Sequence, residues 1–153
     1  MQERTTITLL AGHKKSGDPV HEELLVDRLS ASHVRLVATP GLLLGVAAGD
    51  VLELHGSGGY TIIERGGNLG VQVFGDASAV DHALAEALDG LDYRVDGRTP
   101  KLTVLTLPVA QGFPAVEKGL NGLCHNVPGS EWYFGNVYDN DDGVTPLNWW
   151  VKA

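Results

Sequence analysis

The apolar pattern of this chain changes at Gly66-Gly67, with helical spacing found only after it, and that change limits what each side can fold into. Before it, short runs rich in β-branched and aliphatic residues alternate with polar or glycine-rich loops, and none has helical spacing. Residues 5–11, 22–29, 33–39, 51–55 and 60–65 read as five strands. The clearest hairpin surrounds Gly56-Ser57-Gly58-Gly59, where the loop glycines allow positive φ. Ser30-Ala31-Ser32 has a length that suits another. A partly closed barrel buries such strands while limiting exposed edges, so a β-barrel-like subdomain is expected over residues 1–67.

Past Gly67 the order becomes β-α-β-β-α-β. Residues 71–74 form a short apolar strand. Ser78 is expected to open a helix with Asp81 as its capping-box-like partner. Val80, Leu84, Ala87, Leu88 and Leu91 then recur at helical spacing, with Gly90 placed for the C-terminal cap. A brief strand at 93–95, a turn at 97–100 and a strong strand at 102–107 follow. Pro114 suits the first turn of a second helix, with Phe113, Val116, Leu120 and Leu123 on one face. Residues 131–138 return as a strand. The pattern predicts an α+β fold with a ferredoxin-like subdomain over residues 68–139, two helices covering one face of a four-stranded antiparallel sheet. The tail, residues 140–153, has no period, and its Trp149-Trp150 pair is expected to pack on the body or on a partner.

One resemblance rests on particular residues. Gly45-Val46-Ala47-Ala48-Gly49-Asp50-Val51, a hairpin, and then Ile63-Glu64-Arg65-Gly66-Gly67 resemble the bacterial family catalogued as domain of unknown function 4265. The likeness covers roughly residues 20 to 123. Gly49 and Asp50 match the family's Gly-Asp, and Glu64, Arg65 and Gly67 match its Glu-Arg and Gly; Gly66 stands where the family usually has serine. The resemblance implies the architecture and assigns no activity.

Charge narrows the partners. Eleven Lys and Arg oppose nineteen Asp and Glu, for a net charge of −8. Residues 51–153 hold thirteen of the acids and six of the bases. Such a surface repels phosphate backbones and anionic lipid, and Lys14-Lys15 reads as a solvated loop, so neither nucleic acid nor membrane is expected as a partner. A single cysteine, Cys124, and the absence of a basic-then-apolar leader point to a reduced, cytoplasmic protein.

Chemistry-bearing patterns are scarce. His13, His21, His33, His55, His82 and His125 are scattered without ligand spacing, so no metal or other cofactor is expected. Asp139, Asp141 and Asp142 beside Gly143 do not fit the register of a calcium loop and read as an acidic turn. Cys124 has His125 only as a sequence neighbour, and no GxSxG elbow occurs, so no catalytic residue is assigned.

Two candidate sites remain. Arg65, Gly66, Gly67 and Asn68, continuing to Gly70, could form a nest of backbone N–H groups with an arginine for an anion, in a cleft between the subdomains. Glu131, Trp132, Tyr133, Asp139 and Asp141 mark the densest aromatic and acidic stretch. On a strand there, Trp132, Phe134 and Asn136 face one way, and Tyr133, Gly135 and Val137 the other. The leading expectation is a non-enzymatic binding protein that docks a basic protein partner through this acidic half, in the manner of an immunity protein or antitoxin. The alternative is a small-ligand sensor or enzyme using the Arg65–Gly70 cleft. A homodimer covering an open sheet face is a third reading.

Overall fold

The computed structural model describes residues 3–151. Five strands form the first sheet: β1 (Glu3–His13), β2 (Pro19–Arg28), β3 (His33–Leu36), β4 (Val51–Leu54) and β5 (Tyr60–Glu64). They run in order β1-β2-β3-β4-β5, each antiparallel to the next. The expected barrel does not close, because β1 and β5 lie at opposite edges. The strands are also unequal, with 11 and 10 residues in β1 and β2 against 4 each in β3 and β4. A barrel would fill its interior with its own strands. Here Leu43 and Val46, from the connection between β3 and β4, complete the core made by Leu9, Leu24, Val26, Val34, Leu36 and Leu52. The third strand therefore stops at Leu36, short of the expected residue 39, and the chain leaves the sheet to make that connection.

The second sheet contains β6 (Asn68–Phe74), β7 (Arg94–Thr99), β8 (Leu102–Pro108) and β9 (Glu131–Phe134), in order β7-β8-β6-β9 and wholly antiparallel. Helices α1 (Ala77–Ala87) and α2 (Phe113–Asn126) join these strands, with a 3-10 turn at Val109–Gln111. Period-two alternation places Leu69, Val71, Val73, Leu105 and Leu107 in one core with Val80, Leu84, Val116, Leu120 and Leu123 from the helices. Each such side chain stabilises the fold by about 1.5–3 kcal/mol when fully buried. The architecture is thus α+β, mostly strand, with two antiparallel sheets and two helices.

Several boundaries differ from expectation for local reasons. Helix α1 is capped by Asp76, whose carboxylate accepts the Ala79 N–H at 2.9 Å, so Ser78 lies inside the helix. Asp81 is not a capping partner; it pairs with Arg98. Strand β7 extends through Gly97, where the expected turn instead becomes a bulge between Val95 and Gly97. Strand β9 ends at Phe134 because the next residues bond differently, as described below.

Residues 37–50 join the two sheets. Their apolar side chains Leu43 and Val46 enter the first core, while Thr39 reaches the face of the second sheet opposite the helices. The Ala48 N–H donates to Thr39 Oγ1 at 3.0 Å, and Thr39 Oγ1 lies 2.6 Å from Thr106 Oγ1. Thr106 in turn donates to Asp96 Oδ2 at 2.6 Å. A carboxylate can only accept, so the Thr106 proton goes to Asp96 and the Thr39 proton to Thr106. The Asp96 side chain is 2% exposed, receives the Thr39 N–H as well, and pairs with Arg94. Glu22 on β2 holds the same connection from the other side, accepting the N–H groups of Gly41, Leu42 and Leu43.

Candidate functional site

The Arg65–Asn68 turn connects β5 to β6 and does form a cluster of donors, but the anion it faces belongs to the protein. Asp50, 1% exposed, accepts the Ala47 N–H and the Gly66 N–H, both at 2.9 Å. Arg65 Nη1 lies 3.3 Å from Asp50 Oδ2 and donates to the Gly45 carbonyl at 2.7 Å. The guanidinium also sits 5.5 Å from the centre of the Trp149 ring. Asn68 donates to the Ala48 carbonyl at 2.8 Å. Burial pushes the Asp50 carboxyl above the ordinary carboxylate range, against the pull of the Gly66 and Ala47 amides and of Arg65. Backbone meets backbone here as well. A Cβ on Gly66 would lie 2.5 Å from the Gly49 carbonyl carbon, so this chain needs glycine at that place. Gly67, next in the turn, adopts φ +79°.

The second candidate occupies the β9 edge of the second sheet. Trp132 and Phe134 turn toward the helices, where Trp132 Nε1 donates to Asn121 on α2 at 2.8 Å. Tyr133 faces the other way and is 52% exposed, meeting Phe74 edge-on at 5.9 Å. The expected alternation fails after Gly135. Asn136 is fully buried and substitutes its side chain for strand backbone, accepting the Gly70 N–H and donating to the Asn68 carbonyl, each at 2.9 Å. Val137 is thereby released into the helix-side core rather than sharing the face of Tyr133.

A groove of about 360 Å³ runs beside β9. Trp132, Tyr133, Phe134 and Tyr138 supply its aromatic wall, Leu44 reaches it from the inter-sheet connection, and Glu117 and Asp139 bring carboxylates. Asp139 Oδ1 accepts the Asp141 N–H at 2.7 Å, an Asx turn at the groove's rim. Of the sequence candidates, Trp132, Tyr133 and Asp139 therefore come together. Glu131 stands at the head of β9, its carboxylate accepting the Tyr133 hydroxyl at 2.7 Å, and Asp141 is exposed on the turn beyond. Glu117 was absent from the sequence candidates, since it precedes β9 by a loop and sits on an ordinary amphipathic helix. No basic residue lines the groove, and neither Glu117 nor Asp139 is ion-paired among the described residues.

The tail returns to the body. Trp149 donates to the Asn136 carbonyl at 2.7 Å, and Trp150 meets Phe113 edge-on at 5.1 Å. Phe113 meets Phe134, and Phe134 meets Trp132, so a run of ring contacts links the groove wall to the ring over Arg65.

The family model for domain of unknown function 4265 matches residues 22–127. The chain belongs to that family. The matched stretch of this member of family 4265 includes Asp50, Arg65 and Asn68, whereas the β9 wall of the groove lies beyond it. A crystal structure titled as a hypothetical protein from Neisseria gonorrhoeae is similar, with a TM-score of 0.63 at 11% identity. The likeness covers 87% of this chain and 94% of that one, and it speaks to the fold alone. No curated protein matches the chain.

Proposed function

We propose that this member of family 4265 is a non-enzymatic binding protein that docks a basic protein partner against the β9 groove. One observation carries the reading: two carboxylates without cationic partners among the described residues, Glu117 and Asp139, stand in an aromatic-walled groove on a protein of charge −8. Aromatic faces attract cations through their ring quadrupoles, and unscreened carboxylates add long-range steering. An immunity or antitoxin role against a basic toxin is the concrete form we favour. The small-ligand alternative at Arg65–Asn68 has weaker support, because Asp50, Gly45 and Ala48 already receive those donors.

The same reading takes residues 68–139 as a ferredoxin-like subdomain, supported by the strand order β7-β8-β6-β9 with both helices packed into one core. It takes residues 1–67 as a second subdomain and 140–153 as a packing tail. We also place the protein in the cytoplasm; among the described residues no helix is long and apolar enough to cross a membrane.

Titration with an oligolysine peptide, followed by tryptophan fluorescence at low and high salt, tests the docking site. Binding should weaken with salt. It should fall at least tenfold in a Glu117→Gln, Asp139→Asn variant and change little in Asp18→Asn, Asp89→Asn, which alters charge equally elsewhere. No binding, or equal loss in both variants, overturns the reading. Light scattering of the free protein addresses the homodimer.

A further inference from the structure

We propose that the partner enters the groove as an extended basic segment that pairs with β9 as a fifth strand of the second sheet. This rests on the docking reading above and adds how recognition occurs. The two edges of that sheet are β7 and β9, and they are built differently. Edge β7 carries a bulge between Val95 and Gly97, and arginines at 94 and 98. Bulges and long basic side chains are standard ways to deter a further strand. Edge β9 has none of these: its register against β6 runs unbroken from Phe74–Glu131 to Val71–Phe134, and it holds no proline or basic residue.

The direction of its backbone groups follows from one bond. The Gly135 N–H reaches back to the Gly70 carbonyl on β6 at 2.8 Å. Backbone groups alternate along a strand, so Glu131 and Tyr133 point toward β6, while the N–H and C=O of Trp132 and Phe134 point outward. Past Phe134 the edge is closed, because the Gly45 N–H donates to the Gly135 carbonyl at 2.7 Å. The free edge is therefore short, and it coincides with the groove lined by Trp132, Tyr133 and Phe134. An incoming strand would exchange main-chain hydrogen bonds with Trp132 and Phe134 and send alternate side chains to opposite faces. Glu117 on α2 flanks the groove from the helix side and Asp139 from the turn after β9, which selects lysine or arginine. The groove's size accepts a few extended residues rather than a folded surface.

The test uses an octapeptide alternating lysine and threonine, and two versions N-methylated at either the lysine or the threonine amides. N-methylation removes backbone donors while keeping charge. One methylated version should lose at least tenfold in affinity, because one set of amides faces β9, and the other should bind like the unmodified peptide. Hydrogen exchange at the Trp132 and Phe134 amides should slow at least fivefold in the complex. Equal affinity of all three peptides, or no slowing at those amides, overturns strand pairing while leaving the docking site intact. Failure of all three to bind removes the docking reading itself.

Discussion

The Asp50–Arg65 seam and the β9 groove use similar parts, carboxylates beside aromatic rings and backbone amides, and they differ in what answers each charge. At the seam Asp50 is met by the Ala47 and Gly66 amides and by Arg65, and Arg65 in turn by Gly45 and Trp149. In the groove Glu117 and Asp139 face aromatic walls and open space, with no cation paired to either among the described residues. A buried charge whose partners are complete holds structure together. A partly exposed one left without a partner costs little in the free protein and remains free to bind. In the sequence, glycines next to an arginine look like an anion nest whether or not the protein itself supplies the anion.

The largest expected effect lies at the seam. Asp50→Ala removes the acceptor of the buried Ala47 amide and of the Gly66 amide and takes the carboxylate from Arg65, which keeps only the Gly45 carbonyl, and breaking a buried pair typically costs about 3–5 kcal/mol. Urea denaturation should show a loss in that range. A loss below about 1 kcal/mol would mean water replaces the carboxylate easily, and the distinction between the two regions would fail.

Gly66→Ala should come next. The added carbon would meet the Gly49 backbone at 2.5 Å, and backbone cannot swing aside as a side-chain tip can. Overpacking of this kind costs about 1–3 kcal/mol. Unchanged stability would show that the β5–β6 turn shifts freely against the inter-sheet connection.

The groove should behave in the contrary way. Glu117→Gln with Asp139→Asn should alter stability by within about 0.5 kcal/mol, as surface substitutions usually do. The same pair is the one expected to lose the basic peptide. A marked stability loss would show that these carboxylates have structural roles, and the contrast with Asp50 would disappear.

How much of this is legible in the sequence depends on range. The five N-terminal strands and both helices follow from local signals: period-two runs, glycine loops, and apolar residues three and four apart. The sites of Trp132, Phe134 and Tyr133 follow from alternation along β9. The failures are of longer reach. The role of residues 37–50 depends on two sheets at once, through Thr39 bonding to Asp96, which is 57 positions away in the chain. Barrel closure fails because Leu43 and Val46 fill the core from outside the strands. Alternation past Gly135 fails because an Asn136 side chain can stand in for backbone, which no periodicity reveals. Asp76 and Ser78 are both good capping types, and Asp76 takes the role by accepting the Ala79 N–H.

The smallest expected effect concerns the rim of the groove, where residues 138–146 form a turn closed by the Tyr138–Pro146 bridge. Asp142 accepts the Thr145 hydroxyl and the N–H groups of Thr145 and Val144, and the Thr145 bonds hold its carboxyl below the ordinary carboxylate range. A depressed folded pKa means the ionised form supports the turn. That support is complete above the unfolded value near 3.9 and is lost as the pH falls through the lower folded one. Carbon-detected NMR titration should place the Asp142 midpoint below that of an unstructured peptide. The side chain is exposed, so global stability should barely follow this titration, whereas Asp142→Ala should loosen the turn that presents Asp139 and weaken the lysine–threonine octapeptide by a few-fold. A normal Asp142 midpoint, with undiminished peptide binding in the alanine variant, would detach the rim from the groove and leave Glu117 and the β9 edge to account for recognition alone.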